Sequence, residues 1–324
     1  MFYVSEYING DSIMNIVILG GAGFIGTNLV KKLAGDEANN ITVVDTNTLF
    51  FENIQSMGYK NVSFVESAFN VDTDFDNLVC GFDMVYHMFS TTVPTTANQH
   101  ITEELNANVV VTSCLLEACV RQNVHMVVFI SSGGTVYGKE TACPLKEETP
   151  TYPICSYGIQ KITIEKLLYL YRYMHGLDYR IIRLANPYGP YQRPNGILGA
   201  VTTFTHKALY GEDLVVYGDG SVVRDFIYID DAIRAIENIT KDGTKHKTYN
   251  VGSGYGTSIR QVVETIKDTL DIDVNIRYQE GRKADVPVNY LDISRYEVEF
   301  GKLNPISLQE GIKRTADFMR ENSL

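Results

Sequence analysis

Hydrophobic residues up to residue 184 fall into short, mainly apolar runs separated by stretches with helical spacing. Ile16–Leu19, Ile41–Val44, Val62–Val65, Met84–His87, Met126–Ile130 and Tyr179–Leu184 are such runs, and each predicts a strand. Between them, Phe24–Leu33 has apolar residues at positions 24, 25, 29, 30 and 33, and Val109–Val120 keeps a helical period. Ser156–Met174 reads as a long amphipathic helix ended by Gly176. Apolar strands alternating with helices predict an α/β fold, a doubly wound parallel sheet covered on both faces. After residue 184 the texture changes. ANPYGPYQRPNG is a turn-rich loop, and Val215–Tyr217 and Phe226–Ile229 predict strands around the Gly218-Asp219-Gly220 turn. Asp230 or Asp231 is placed to cap the helix that follows.

Bulk properties narrow the function. A chain of 324 residues is long for one core, so one large or two coupled domains are expected. The net charge of −11 opposes nucleic acid as a partner, because phosphate binding needs a basic face. No apolar run is long enough to predict a transmembrane helix, and the first residues lack the basic-then-apolar order of a signal peptide. A cytoplasmic protein without membrane contact is expected. The five cysteines form no C-x-x-C pair and the histidines are scattered, so no metal site is predicted.

The first loop carries the clearest chemistry. NIVILGGAGFIG, residues 15–26, holds two overlapping phosphate-binding patterns. Gly21, Gly23 and Gly26 fit G-x-G-x-x-G, and Gly20, Gly23 and Gly26 fit G-x-x-G-x-x-G. The loop ends a strand and opens a helix. Missing side chains there let the backbone approach a pyrophosphate, and the helix N-terminus supplies N–H donors. Asp45 ends the next strand, where a carboxylate accepts ribose hydroxyls and repels a 2′-phosphate. With no Arg or Lys at 46–48, NAD is predicted over NADP. Tyr157 and Lys161 lie four apart, on one face of the long helix. A cation one turn away, with a positively charged nicotinamide nearby, favours the phenolate of a candidate base. Taken alone, that spacing is a weak signal.

In chain order, Gly20-x-x-Gly23-x-x-Gly26, Asp45, SSGGTVYG over 131–138 and Tyr157-x-x-x-Lys161 resemble the extended short-chain dehydrogenase/reductases. Within them the chain is similar to the nucleotide-sugar epimerases, the UDP-glucose 4-epimerase group in particular, from about residue 15 to the C-terminus. Tyr157 and Lys161 select the Gly20, Gly23, Gly26 register, with Gly21 as a turn residue. Met14 directly precedes the first strand, so residues 1–14 are read as an N-terminal extension, a misplaced start being the alternative. The resemblance implies a Rossmann-type NAD-binding domain over 15–184 and a smaller nucleotide-sugar-binding α/β lobe over 185–324, some of whose segments return to the first domain. It implies that Gly20, Gly23, Phe24, Ile25, Gly26, Asp45, Asn108, Tyr157 and Lys161 bind NAD. Asn186, Tyr217, Arg224, Arg282 and Asp285 would bind a UDP-sugar, and Asn289 would lie beside sugar C2, where a small residue admits N-acetyl groups. It also implies a homodimer formed through helices at roughly 103–121 and 156–174.

The implied reaction is epimerisation at C4 of a UDP-hexose. Tyr157 takes the 4-hydroxyl proton while hydride passes to NAD, the 4-keto sugar turns over, and hydride returns to the other face. Lys161 lowers the tyrosine pKa and bonds the nicotinamide ribose. The chain departs from the pattern in places. The family serine or threonine near the 4-hydroxyl aligns with Gly133, and Ser132 or Thr135 is the candidate substitute, Thr135 being preferred. Ala68 stands where the family has an aspartate beside adenine, and Met88, Phe89 and Ser90 replace small residues and are expected to reshape the cofactor wall. Gly134 and Thr135 occupy the Asp-Glu positions of 4,6-dehydratases, which argues against dehydration. A uronate epimerase, a decarboxylase and a non-catalytic NAD-binding protein on this fold are the alternatives.

Overall fold

A computed structural model describes residues 13–139, 142–194, 199–281 and 286–322. The expected N-terminal extension therefore lies almost wholly outside the described residues, as do Arg282 and Asp285. Six strands lie before residue 185: β1 (Met14–Leu19), β2 (Asn39–Asp45), β3 (Val62–Glu66), β4 (Met84–His87), β5 (Met126–Ser132) and β6 (Asp178–Leu184). The second half adds β7 (Asn186–Tyr188), β8 (Leu214–Tyr217), β9 (Val223–Arg224), β10 (Phe226–Tyr228), β11 (Thr248–Val251), β12 (Thr257–Ser258), β13 (Ile276–Gln279) and β14 (Val288–Asn289).

β1 to β6 and β11 form one parallel seven-stranded sheet in the order β11-β6-β5-β4-β1-β2-β3. This is the doubly wound Rossmann-type sheet the alternation predicts. Successive strand residues face opposite sides. Ile16, Ile18, Val128 and Ile130 enter one core, with Leu29 and Val30 of the Phe24–Leu33 helix and Ile233 and Ile236 of the Ile229–Ile239 helix. Val17, Leu19, Val127 and Phe129 enter the other, under Leu115 of the Val111–Arg121 helix and Ile164 and Leu168 of the Ser156–His175 helix. Gly176, at φ 78°, ends that last helix in the left-handed region, as its position in the sequence predicts. Chain order reverses between β1 and β4, so a crevice opens beyond their carboxyl ends, where such sheets take ligands.

The second lobe is built from small pairings: β7 with β10, β8 with β13, and β9 between β12 and β14. Ile229 begins a helix instead of ending a strand, and Asp230 and Asp231 lie in its first turn without capping it. Asp231 is fully buried and accepts from the Ile306 N–H at 2.7 Å and from Arg234 at 2.6 Å. The helix predicted over 109–120 starts earlier, running through Ile101–Leu105 and a π-helical turn at Asn106–Val110. Polar residues there hide the helical period.

Candidate active site

Each glycine of the first loop answers a separate demand. Gly20 is left-handed at φ 78°, and a Cβ on it would lie 2.5 Å from the Phe89 nitrogen. Gly26 lets its helix approach the Gly21 carbonyl, and Gly21 itself sits against Ile18. Gly23 differs: a Cβ there meets nothing nearer than the Gly20 oxygen at 3.9 Å. Packing within the protein does not call for glycine at 23. It stands exposed at the helix N-cap, where a side chain would fill the space a pyrophosphate needs. Phe24 and Ile25 follow as half-buried residues packed against the core.

Asp45, at the end of β2, turns its carboxylate to this loop. Oδ2 accepts from the Ala22 N–H at 2.9 Å and Oδ1 from the Thr46 N–H at 2.8 Å. A cavity of about 220 Å³ opens beside it at the sheet's switch point, between Gly20, Asp45 and Thr46 on one side and Phe69 and Met88–Thr91 on the other. Met88, Phe89 and Ser90 line this wall as expected, with the bulk of Phe89 turned inward. The Phe89 ring is buried between His87, at 4.1 Å, and Phe69, at 4.4 Å, in the core below. Asn108 lies in the π-helical turn, and its amide is spent on the wall. It accepts from the Thr91 N–H at 2.9 Å and donates to the Thr91 and Thr92 hydroxyls at 2.9 and 3.0 Å. Its reach to the cavity is through Thr91. Thr112 donates to the Asn108 carbonyl at 2.6 Å, so the His87 Nε2–H donates to Thr112 at 2.7 Å and His87 is the Nε2–H tautomer. Burial holds His87 neutral, with its pKa near 3.

Tyr157 and Lys161 come together at the carboxyl end of β5. Lys161 is buried, and its Nζ donates to the Ile130 carbonyl at 2.9 Å and lies 5.4 Å from the centre of the Tyr157 ring. Burial lowers the ammonium pKa to about 8, against the opposing pull of Glu165. The expected phenolate is not favoured by the protein alone. Burial pushes the Tyr157 phenol up, and the Cys155 thiol adds to that.

The Ser131–Gly138 loop is held from three sides. Ser131 donates to Glu165 at 2.6 Å, and Glu165 pairs with Arg183 at 2.7 Å in the core. Gly158, next to Tyr157, packs against the Thr135 carbonyl. From the second lobe, Asn289 is buried and its amide lies 3.4 and 3.5 Å from the carbonyls of Gly133 and Gly134. Leu291 fills the space a side chain on Gly133 would take. Ser132 is half-buried, and the Thr135 hydroxyl is shielded from water without a hydrogen-bond partner.

In the second lobe, Asn186 donates its amide to the Asp225 carbonyl at 2.9 Å, and Arg224 donates to the Val286 carbonyl at 2.5 Å. Tyr217 ends β8 with its side chain partly exposed. Asp225, which follows Arg224, carries no local sequence signal of its role. Fully buried, it accepts from the Ser253 N–H and hydroxyl, each at 2.7 Å, and from the Leu291 N–H at 3.2 Å. It thereby ties β9 to the segment lying over Gly133.

The profile of the NAD dependent epimerase/dehydratase family matches residues 16–252. The chain belongs to that family. It is 32% identical over 310 residues, 95% of this chain and 99% of the other, to a putative UDP-glucose 4-epimerase of Methanocaldococcus jannaschii. Its fold is similar to that of UDP-glucose 4-epimerase from Thermotoga maritima with UDP-glucose, at a TM-score of 0.89, 31% identity and coverage of 96% of this chain and 100% of that one. It is also similar to UDP-glucuronic acid 4-epimerase from Bacillus cereus in complex with UDP-glucuronic acid and NAD, at a TM-score of 0.86, 26% identity and coverage of 95% and 100%.

NAD is the cofactor of this epimerase/dehydratase family member, and its residues fit it. The open Gly23 cradle suits a pyrophosphate, the Asp45 carboxylate suits a ribose diol, and Lys161 uses one N–H on Ile130 and has two more. No helix among the described residues is long and apolar enough to cross a membrane.

Proposed function

We propose that this NAD-dependent nucleotide-sugar 4-epimerase acts on a UDP-hexose, inverting C4 of UDP-glucose and UDP-galactose and accepting their N-acetyl forms. The observation that carries the reading is the Lys161 ammonium, held on the Ile130 carbonyl at the mouth of β5 and 5.4 Å from the centre of the Tyr157 ring, with the partnerless Thr135 hydroxyl in the loop that follows that strand. NAD supplies a store that takes hydride from C4 and gives it back. Tyr157 takes the 4-hydroxyl proton and returns it to the inverted centre. Its raised pKa makes it a phenol before ligands bind, so the cationic nicotinamide and Lys161 must act together to make it a base. Thr135, with Ser132 beside it, donates a hydrogen bond to the sugar oxygen as it gains charge.

Asn186, Tyr217, Arg224, Arg282 and Asp285 bind the uridine diphosphate, on which the 4-keto sugar turns while tethered. Guanidinium donors suit that dianion on an acidic protein. Support for N-acetyl tolerance is the short Asn289 side chain, drawn onto the carbonyls of Gly133 and Gly134. The same reading pairs the helices over 101–121 and 156–175 across a homodimer, supported by the exposed Tyr169, Tyr173 and Met174. Incubation with UDP-glucose, UDP-galactose, their N-acetyl forms and UDP-glucuronate, followed by NMR, tests the reading. Interconversion of both neutral pairs is expected. Turnover of the uronate alone, or carbon dioxide release, overturns it.

A further inference from the structure

Arg193 follows β7 in the second lobe, yet its guanidinium lies over the ring of Phe50, with Cζ 3.3 Å from the ring centre. Phe50 closes the Thr48–Phe50 turn, directly after the Asp45 and Thr46 that line the cavity. The Arg193 loop is fastened there. Asn28, on the helix that the glycine loop opens, donates to the Pro190 carbonyl at 3.0 Å. Tyr191 packs edge-on against Phe318 at 4.8 Å, and Gln192 donates to the Pro187 carbonyl at 3.2 Å.

We propose that Arg193 supplies the cationic side of the adenosine-ribose subsite, closing over the bound NAD from the second lobe opposite Asp45. The sequence has no Arg or Lys at 46–48, and the fold brings one from elsewhere. Stacking on Phe50 holds the guanidinium flat while its N–H edges stay available, and among the described residues they have no hydrogen-bond partner. The Asp45 carboxylate acts on this cation, opposing the lowering of its pKa by desolvation. An anionic dinucleotide entering between the two meets a carboxylate for its ribose hydroxyls and a guanidinium for its phosphate oxygens. Release of NAD then requires the second-lobe loop to lift, which suits a cofactor recycled in place. A 2′-phosphate would also meet this guanidinium, so Arg193 softens the exclusion of NADP that Asp45 imposes.

The test is calorimetric titration of cofactor-stripped protein with NAD and with NADP, without sugar, at two salt concentrations. The inference rests on NAD as cofactor, and omitting sugar makes its failure distinct from failure of the epimerase reading. Arg193→Ala is expected to weaken NAD about tenfold and NADP by more, and to flatten the salt dependence of binding. Arg193→Lys is expected to recover less than half of the loss, because an ammonium does not keep the flat stacked geometry. Phe50→Leu removes the platform and keeps the charge, and weakens NAD less than Arg193→Ala does. If Arg193→Ala fails to fold, Arg193→Lys and Phe50→Leu carry the test. Wild-type affinity and salt dependence in the variants that fold overturn the proposal.

Discussion

Restoring a hydroxyl at residue 133 is the natural experiment on this site, and packing opposes it. Gly133 has an ordinary backbone conformation, so a serine meets no backbone strain. Its Cβ, however, would lie 2.6 Å from Cδ1 and 3.0 Å from Cδ2 of Leu291, with the Arg183 carbonyl at 3.1 Å. Leu291 is fully buried, so it can give way only by leaving its rotamer or shifting the segment after β14. Overpacking of this kind costs about 1–3 kcal/mol. Leu291→Ala alone opens a cavity and costs about 2–5 kcal/mol. In the Leu291→Ala background the serine has room, so the Gly133→Ser penalty falls towards zero. The double-mutant cycle should then show a coupling of about 1–3 kcal/mol. Urea unfolding of all four proteins at constant NAD measures this, with kcat for UDP-galactose measured alongside. Gly133→Ser should lose stability without gaining kcat, on the proposal that Thr135 is the hydroxyl donor. An unchanged urea midpoint in Gly133→Ser, with no coupling, would refute the packing argument. A rise in kcat would refute the Thr135 assignment.

Tyr157→Phe should lower kcat by about 10²–10⁴-fold while leaving the NAD released on denaturation unchanged, as read by its absorbance. Turnover within tenfold of wild type would remove Tyr157 from the chemistry. Lys161 gives a pH signature. Its folded pKa of about 8 lies below the unfolded value, so between about pH 8 and 10.5 the unfolded chain holds a proton the folded one has lost. Stability of the cofactor-free protein should therefore rise with pH over that window, by up to about 3 kcal/mol from this group. Lys161→Met should lack that rise, and matching slopes in the two proteins would sink the argument.

β1, β4 and β5 were legible because both their faces are largely buried, leaving nearly continuous apolar runs, whereas β3 at the sheet edge keeps Ser63, Val65 and Glu66 exposed. The Phe24–Leu33 helix and the Gly176 stop were legible because each depends on local sequence alone. Segment 101–110 was not, since Glu104 and Asn108 interrupt its apolar pattern while bonding to Ser156 and to Thr91 and Thr92. The roles of Leu291, Asn289 and Arg193 depend on contacts made far along the chain, which no local pattern encodes. The Tyr157 environment was legible only in part. A lysine one turn away is visible in sequence, whereas the desolvation that raises the phenol appears only once the helix is packed.

The seventh strand has a consequence for synthesis. β11 supplies the edge of the central sheet, pairing with β6, and residues 185–247 lie between them in the chain. The Ile181 and Ala185 N–H groups bond to the carbonyls of Lys247 and Val251. A nascent chain on the ribosome therefore cannot finish its nucleotide-binding sheet until the second lobe is half made. Until then the flank of β6 stays open to pairing with other chains. The two lobes are consequently a single unit of inheritance: a gene cut after residue 184 yields an unfinished sheet, not a separable cofactor-binding module.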